Sequence, residues 1–504
     1  MSLTSSTPPG ISGTLTTHSP NRIFSIDVIK GIALIGILVT SIWEFGGFIS
    51  NQQLFYRHGT HSGGNFRLWA IVSILFEGKM LSLFALVFGA GIILFLQKKD
   101  HPSTASTADL YIRRQIWLIF FGVVCAFVFL WSSDILYPLG VMGILMYVFW
   151  RLAPKRLLIA AIICTLIFCG KQYWNFADDR KAYNKYQAVL KVEEQFKKDS
   201  TARAKTDSIA KVKDSLGLNI PPKLDTATGS SSSKMVKDSL DKKGDTLTRW
   251  QVMDKENWEN IAKRVKYDSS ATEAENKSMR ASYPKVWNYL MQRSQNKESI
   301  WVYRIGIWDF GSMMFLGMAL LGMGFFQHRF SNSKYTLIAI LSLVIGYFLA
   351  WYRIHYGDKA IVDYAKYIEN SAVPQNFFLP IEKFVLVLGY ASVIMLVLRS
   401  NFFNWLSQAL AAVGRMWLTN YILQVVICTF FFYGYGFGAF GRLSQWQLYF
   451  VVVEISLVLS VFSIFWLRYY RWGPFEWMWK CFIYRKWLPN KIQQTETTSI
   501  SPAS

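Results

Sequence analysis

Ionisable residues interrupt the apolar runs of this chain at a few places, and their types are those of proton transfer and anion binding. Glu44 stands near the end of the first run, Glu77 and Lys79 interrupt the second, and Asp134 caps the turn between the third and fourth. Asp309 opens the sixth run, Glu382 and Lys383 follow Pro380 in the eighth, and Glu454 lies inside the last. A charge in hydrocarbon is costly and faces a protein interior or a water-filled cavity, so the shared depth of these residues predicts one externally open polar cleft. Glu77 and Lys79, two apart on a helix, do not face each other and must take different partners. The connection after the first run carries His58 and His61; an imidazole with an ordinary pKa of about 6.5 can take up a proton near neutrality. The two histidines do not make a metal site by themselves, and no metal is expected. A second group lies at the opposite ends of the runs: Arg22, Asp27 and Lys30 at the entrance of the first, Arg415 inside the ninth, Arg468 and Arg471 after the last. Arg415 suits a phosphate or carboxylate. Alternatively Arg415, with Asn420 and Gln424 farther along at i,i+4 spacing, belongs to a polar seam between helices.

The elements that must position these groups are membrane helices. Of 504 residues, 52% are hydrophobic and 16% aromatic, arranged in long runs and not in alternation. Runs long enough for a hydrocarbon layer of roughly 30 Å begin near Ile29, Trp69, Ile116, Ile135, Leu157, Ile305, Tyr335, Phe377, Ala409 and Leu448. The expected fold is an all-α polytopic bundle of about ten transmembrane helices. Lys98, Lys99, Arg113 and Arg114 follow the second run, Arg151, Lys155 and Arg156 the fourth, and Arg485 and Lys486 lie beyond the last. Connections of opposite parity are poorer in cations, which places both termini in the cytoplasm of a bacterial inner membrane. The residues up to about Pro20 lack the cationic start and apolar core of a cleaved signal peptide, so the first run reads as an uncleaved anchor. A net charge of +22 raises nucleic acid as a partner, but no stacking or base-reading motif accompanies it, and none is expected. Cys125, Cys164, Cys169, Cys428 and Cys481 lie in or beside apolar runs and read as buried thiols.

The organisation follows: a tail over 1–21, a five-helix half over 22–174, a polar extracytoplasmic insert over 175–300, a second five-helix half over 301–488, and a tail over 489–504. The first part of the insert, Asp178 to Leu216, alternates charges at helical spacing, and the insert has too little apolar surface to offset ordering, so a spacer or partner-binding arm is expected there instead of a compact enzyme domain.

The strings SIDVIKGIALIGILV (25–39), LSLFALVFGAGI (81–92) and SSDILYPLGVMGILMYV (132–148) resemble the N-terminal half of YeiB-like membrane proteins. FLGMALLGMG (315–324), AAVGRMWLTNYILQ (411–424), FYGYGFGAFGRLSQWQ (432–447) and RWGPFEWMWK (471–480) resemble the associated domain-of-unknown-function family, number four-eighteen. Lys30, Ser41 and Ser133 depart from residues usual in the family, namely Arg, Asn and Gly. The resemblance implies architecture without an activity. A more distant similarity, to transmembrane acyltransferases that move an acyl group from cytoplasmic acyl-CoA to an acceptor across the membrane, implies a histidine after the first core helix. FYRHGTH (55–61) puts His58 at a comparable position.

Together these readings point to acyl transfer, with His58 as general base, Glu77 or Asp134 orienting it, and the basic group holding an acyl-CoA donor while the outer cleft receives a glycan or lipid acceptor. The rival is a small-solute transporter using the same carboxylates as a pathway, and a non-catalytic envelope role is the third. No cofactor is expected beyond the acyl-CoA donor substrate. GAG at 89–91 sits in an apolar run and reads as helix packing, not as a phosphate loop. The topology has a direct check: a cysteine at Ser231 should react with an impermeant maleimide in intact cells, and labelling only after permeabilisation would reverse the orientation.

Overall fold

The computed structural model describes residues 23–47, 64–98, 104–216, 247–265, 268–400 and 402–492. The described elements are helical. In chain order they are α1 (Phe24–Phe45), α2 (Gly64–Leu75), α3 (Lys79–Leu96), α4 (Thr107–Phe127), α5 (Leu136–Met146), α6 (Pro154–Ser215), α7 (Arg249–Val265), α8 (Ser269–Met279) and α9 (Tyr283–Gln295). A π-helical stretch, Asn296–Gly306, joins α9 to α10 (Ile307–Gly322). Then come α11 (Asn332–Val362), α12 (Tyr364–Asn370), α13 (Leu379–Ser400), α14 (Asn404–Arg415), α15 (Trp417–Phe432), α16 (Gln445–Tyr469) and α17 (Pro474–Tyr484).

Among the described residues, eight helical stretches are long and apolar enough to cross a membrane. The two remaining runs of the expected ten are an 80° bent pair, α14 with α15, and a shorter apolar helix, Leu136–Phe149. The second run is α2 and α3 joined at Gly78, whose φ of +71° lies in the left-handed region that favours glycine. Local signals set the ends: Ser106 accepts from the Asp109 N–H at the start of α4, and Ser444 with Gln447 forms a capping box at the start of α16.

The chain divides into two units. The first comprises Met1–Lys171, Asp268–His355 and Gln375–Ser504. Its helices cross at glycines: a Cβ on Gly89 would overlap the Met314 carbonyl, and one on Gly317 the Leu86 carbonyl, so α3 and α10 meet backbone to backbone. Gly31 and Gly414 bring α1 and α14 equally close, a Cβ on Gly414 overlapping the Asp27 carbonyl. Lipid tails are as apolar as leucine, so close backbone approach and the dispersion contacts it permits are what hold such pairs together.

The second unit comprises Gln172–Tyr267 and Tyr356–Pro374. The expected arm carries a small core of its own. Phe176, Tyr183, Trp258, Tyr367 and Ile368 are buried together, with the rings of Trp258 and Tyr364 stacked at 5.9 Å. The Tyr364 hydroxyl donates to Asp179 at 2.6 Å, and the Arg180 guanidinium donates to the carbonyls of Ile368 and Ser371. A few aromatics supply what the composition lacks in aliphatics, because each ring buries a large area. Residues 268–300, grouped with the insert by composition, pack with the first unit, and 356–374, grouped with the C-terminal half, pack with the second.

Gly317→Val should therefore destabilise the first unit by about 1–3 kcal/mol or more through overpacking. Gly91→Ala meets nothing within 4 Å and should be neutral or stabilising by up to about 1 kcal/mol. Thermal unfolding in detergent separates the two.

Candidate functional site

Most of the residues expected to line one outer cleft fall instead into two networks of the first unit. Glu382, fully buried on α13, anchors the first. Its Oε1 lies 2.6 Å from Lys79 Nζ, also fully buried. Arg353 of α11 donates Nε to Oε2 at 2.9 Å and Nη2 to Oε1 at 3.3 Å. Lys79 Nζ also donates to the Ser73 carbonyl at 2.9 Å. Arg353 Nη1 reaches Glu77 at 3.8 Å, and Glu77 accepts from the Ser73 hydroxyl. The next residue of α13, Lys383, donates to both oxygens of Asp309 at 2.6 and 2.5 Å. Gly78 lets these pairs lie close, since a Cβ there would stand 3.3 Å from Lys383 Cε. Three carboxylates and three cations sum to zero, which is what burial in hydrocarbon demands. The network runs from Glu77, with 48% of its side chain exposed, to Glu382 at 0%.

The second network lies at the end of α1. Glu44 Oε1 accepts from Ser132 Oγ at 3.1 Å and from Arg293 Nη2 at 2.8 Å; Arg293 also meets Glu275 at 3.5 Å. Lys297 Nζ donates to Ser133 Oγ at 3.4 Å. Asp134, in the same turn, is buried; its Oδ1 accepts from the Tyr421 hydroxyl at 3.0 Å and its Oδ2 from the Tyr137 N–H at 2.8 Å. The Tyr421 oxygen in turn accepts from the Ile135 N–H at 3.1 Å. Phe45 and Trp131, their rings stacked at 3.6 Å, form an apolar wall beside the turn. Glu44 and Asp134 therefore share a site, whereas Glu77, expected to be interchangeable with Asp134, belongs to the other network. His58 lies outside the described residues.

At the opposite helix ends, Arg415 closes α14 immediately before the 80° break. Glu476 of α17 spans that break: its carboxylate accepts from the N–H groups of Leu418 and Thr419 at 2.6 and 3.1 Å and from the Thr419 hydroxyl at 2.5 Å. A carboxylate at a helix N-terminus satisfies orphan donors and meets the positive end of the helix dipole. Burial pushes the Glu476 carboxyl above its ordinary range, against these donors, which pull it down. Asn420 donates to the Val413 carbonyl at 3.0 Å and to Ser463 Oγ at 2.8 Å, the seam between α15 and α16. Lys30 is partly buried on α1. Arg468 lies over the Phe465 ring at 5.0 Å, Arg471 is exposed, and Arg22 lies outside the described residues.

Glu454 joins neither network. The inward stripe of α16 is Leu448, Val452, Ile455, Leu459 and Ser463, and Glu454 falls off it, exposed beside Phe450, Val453 and Leu457. Arg353, Arg293, Tyr421 and Glu476 escaped the sequence reading. Arg353 carried a signal, a cation inside the end of an apolar run, and Glu476 another, an acid flanked by Phe475 and Trp477. Arg293 had none, standing in a segment read as solvated.

The helices and their buried, paired charges define a multi-pass helical membrane protein. Residues 320–486 match the family described as protein of unknown function (DUF418). The chain is similar to the uncharacterized protein YxaH of Bacillus subtilis (strain 168), at 24% identity over 485 residues covering 94% of this chain and 97% of that one. It is likewise similar to the uncharacterized protein YeiB of Escherichia coli (strain K12), at 24% identity over 466 residues covering 91% and 95%. No solved structure matches the chain significantly.

The pairing has a measurable signature. Asp309→Asn alone strands Lys383 and should cost about 3–5 kcal/mol. Adding Lys383→Met should recover more than half of that, read as a double-mutant cycle from thermal unfolding in detergent.

Proposed function

We propose that this protein is an inner-membrane acyltransferase with both termini cytoplasmic, passing an acyl group from acyl-CoA to a hydroxyl or amine of an extracytoplasmic glycan or lipid. The observation that supports this reading is the Asp134 carboxylate, held by two donors beside Glu44 at the end of the helix from which the chain runs on to His58. In the reaction, His58 takes the proton of the acceptor as its oxygen or nitrogen attacks the thioester carbonyl. The C–S bond then breaks, and the CoA thiolate leaves and is protonated. Asp134, with Glu44 beside it, supplies the negative charge that favours an imidazolium at this step. Lys30 and Arg415, with Arg22, Arg468 and Arg471, form the basic group for the donor's phosphates.

Transport is the second reading, favoured by the first network. Its graded burial, from Glu77 to Glu382, resembles a route along which protons or a charged solute exchange partners.

Purified protein in detergent, given radiolabelled acetyl-CoA and an envelope lipid and glycan extract, tests both. Transfer should fall roughly 100- to 10,000-fold in His58→Ala with donor binding retained. Arg415→Ala should weaken donor binding, with protein yield measured alongside. Unaltered transfer by His58→Ala eliminates the base. Absence of acetyl-CoA binding by the parent, together with Glu382-dependent solute uptake in vesicles, establishes transport instead.

A further inference from the structure

A groove of about 370 Å³ lies between α4 and α17 of the first unit, lined by no residue of either charge network. Its lining is Arg113, Ile116, Trp117, Cys481, Phe482 and Arg485. The wall is apolar: Trp117 and Phe482 stack at 4.2 Å. Two guanidinium-bearing residues, Arg113 and Arg485, line the same groove. Asp109 engages Arg113 through Nε at 3.1 Å and Nη2 at 2.5 Å, which leaves the Nη1 edge for another acceptor. Asp109 offsets Arg113 alone, and Arg485 is followed by the exposed Lys486, so the rim carries excess positive charge.

Two further observations define what fits. Ile116, Phe120 and Val123 are exposed at 53%, 49% and 37% and continue outward along one face of α4 at i, i+4 and i+7. The groove thus opens onto an apolar track that begins directly beyond Arg113 and Arg114, where the hydrocarbon-spanning run starts. Arg485, for its part, occupies the left-handed position that ends α17, with φ +52°, where glycine costs less. The fold tolerates that cost and keeps a cation at the groove.

We propose that this groove binds an anionic glycerophospholipid of the surrounding bilayer, its phosphate between Arg113 and Arg485 and one acyl chain along Ile116, Phe120 and Val123. Cationic pockets at the headgroup level between transmembrane helices favour anionic lipids, and a guanidinium fork matches a phosphate. A zwitterionic lipid brings a cation of its own to the same rim and is disfavoured. The assignment is independent of the acyl-transfer reading.

Native mass spectrometry of delipidated, detergent-solubilised protein tests it, with phosphatidylglycerol or phosphatidylcholine of matched chains added back. The parent should retain phosphatidylglycerol in preference, and the double variant R113Q/R485G should lose about tenfold or more of that affinity. R485G alone removes one cation while relieving the left-handed strain, so it should unfold no earlier than the parent and should still bind the lipid more weakly. Equal retention of the two lipids, or unchanged retention in R113Q/R485G, overturns the proposal. Displacement of phosphatidylglycerol by millimolar inorganic phosphate also overturns it, since the site would then serve a soluble phosphate group.

Discussion

A carboxylate that leaves water must find its countercharge inside the fold, and Glu382 is the residue on which this requirement bears hardest. With 0% of its side chain exposed, it takes Lys79 from one helix and Arg353 from another. Removing either cation would leave the other to balance a buried charge alone, which is why such groups hold elements together once they are in place. The break between α2 and α3 follows from the same demand: the left-handed Gly78 delivers Lys79 to Glu382 and gives Lys383 room to reach Asp309. Four helical segments, α3, α10, α11 and α13, are thereby tied in position by charge, while α3 and α10 are also joined by glycine contact.

The end of α1 obeys the rule differently. Glu44 is met by Arg293, carried by a helix that composition assigns to a solvated insert. Asp134 is held differently, by a tyrosine hydroxyl and a backbone N–H. A carboxylate stabilised by neutral donors keeps its affinity for a developing positive charge, whereas one locked to an arginine has already spent it. That difference sets the turn at 132–134 apart from the first network.

Much of this architecture was legible in the residues. Apolar length located the membrane runs, and the depth of Glu44, Lys79, Asp134, Asp309, Glu382 and Lys383 marked them as interior groups, while Glu77 proved exposed. Depth carries no azimuth, however, so it could neither divide the residues into two networks nor reveal that Glu454 turns outward from α16. The partners were harder to find because they come from distant segments: Glu382 and Arg353 are 29 positions apart, Arg293 and Glu44 249. The small aromatic core of the second unit was hidden for a related reason. Tyr364 and Tyr367 reach it from beyond two further membrane runs, and no reading confined to the insert could count them.

The clasp of Glu476 on α15 has a bearing on biogenesis. The N–H groups of Leu418 and Thr419 begin a helix that follows a sharp bend, and the oxygen that satisfies them is made 57 residues or more later. During synthesis, α14 and α15 therefore leave the ribosome before the group that completes their junction exists. The bend reaches its final hydrogen bonding only when the segment beginning at Pro474 emerges and folds back. Closure of the C-terminal half is thus a late event in synthesis, and a chain cut short before Glu476 would present the quality-control machinery with an uncapped helix end.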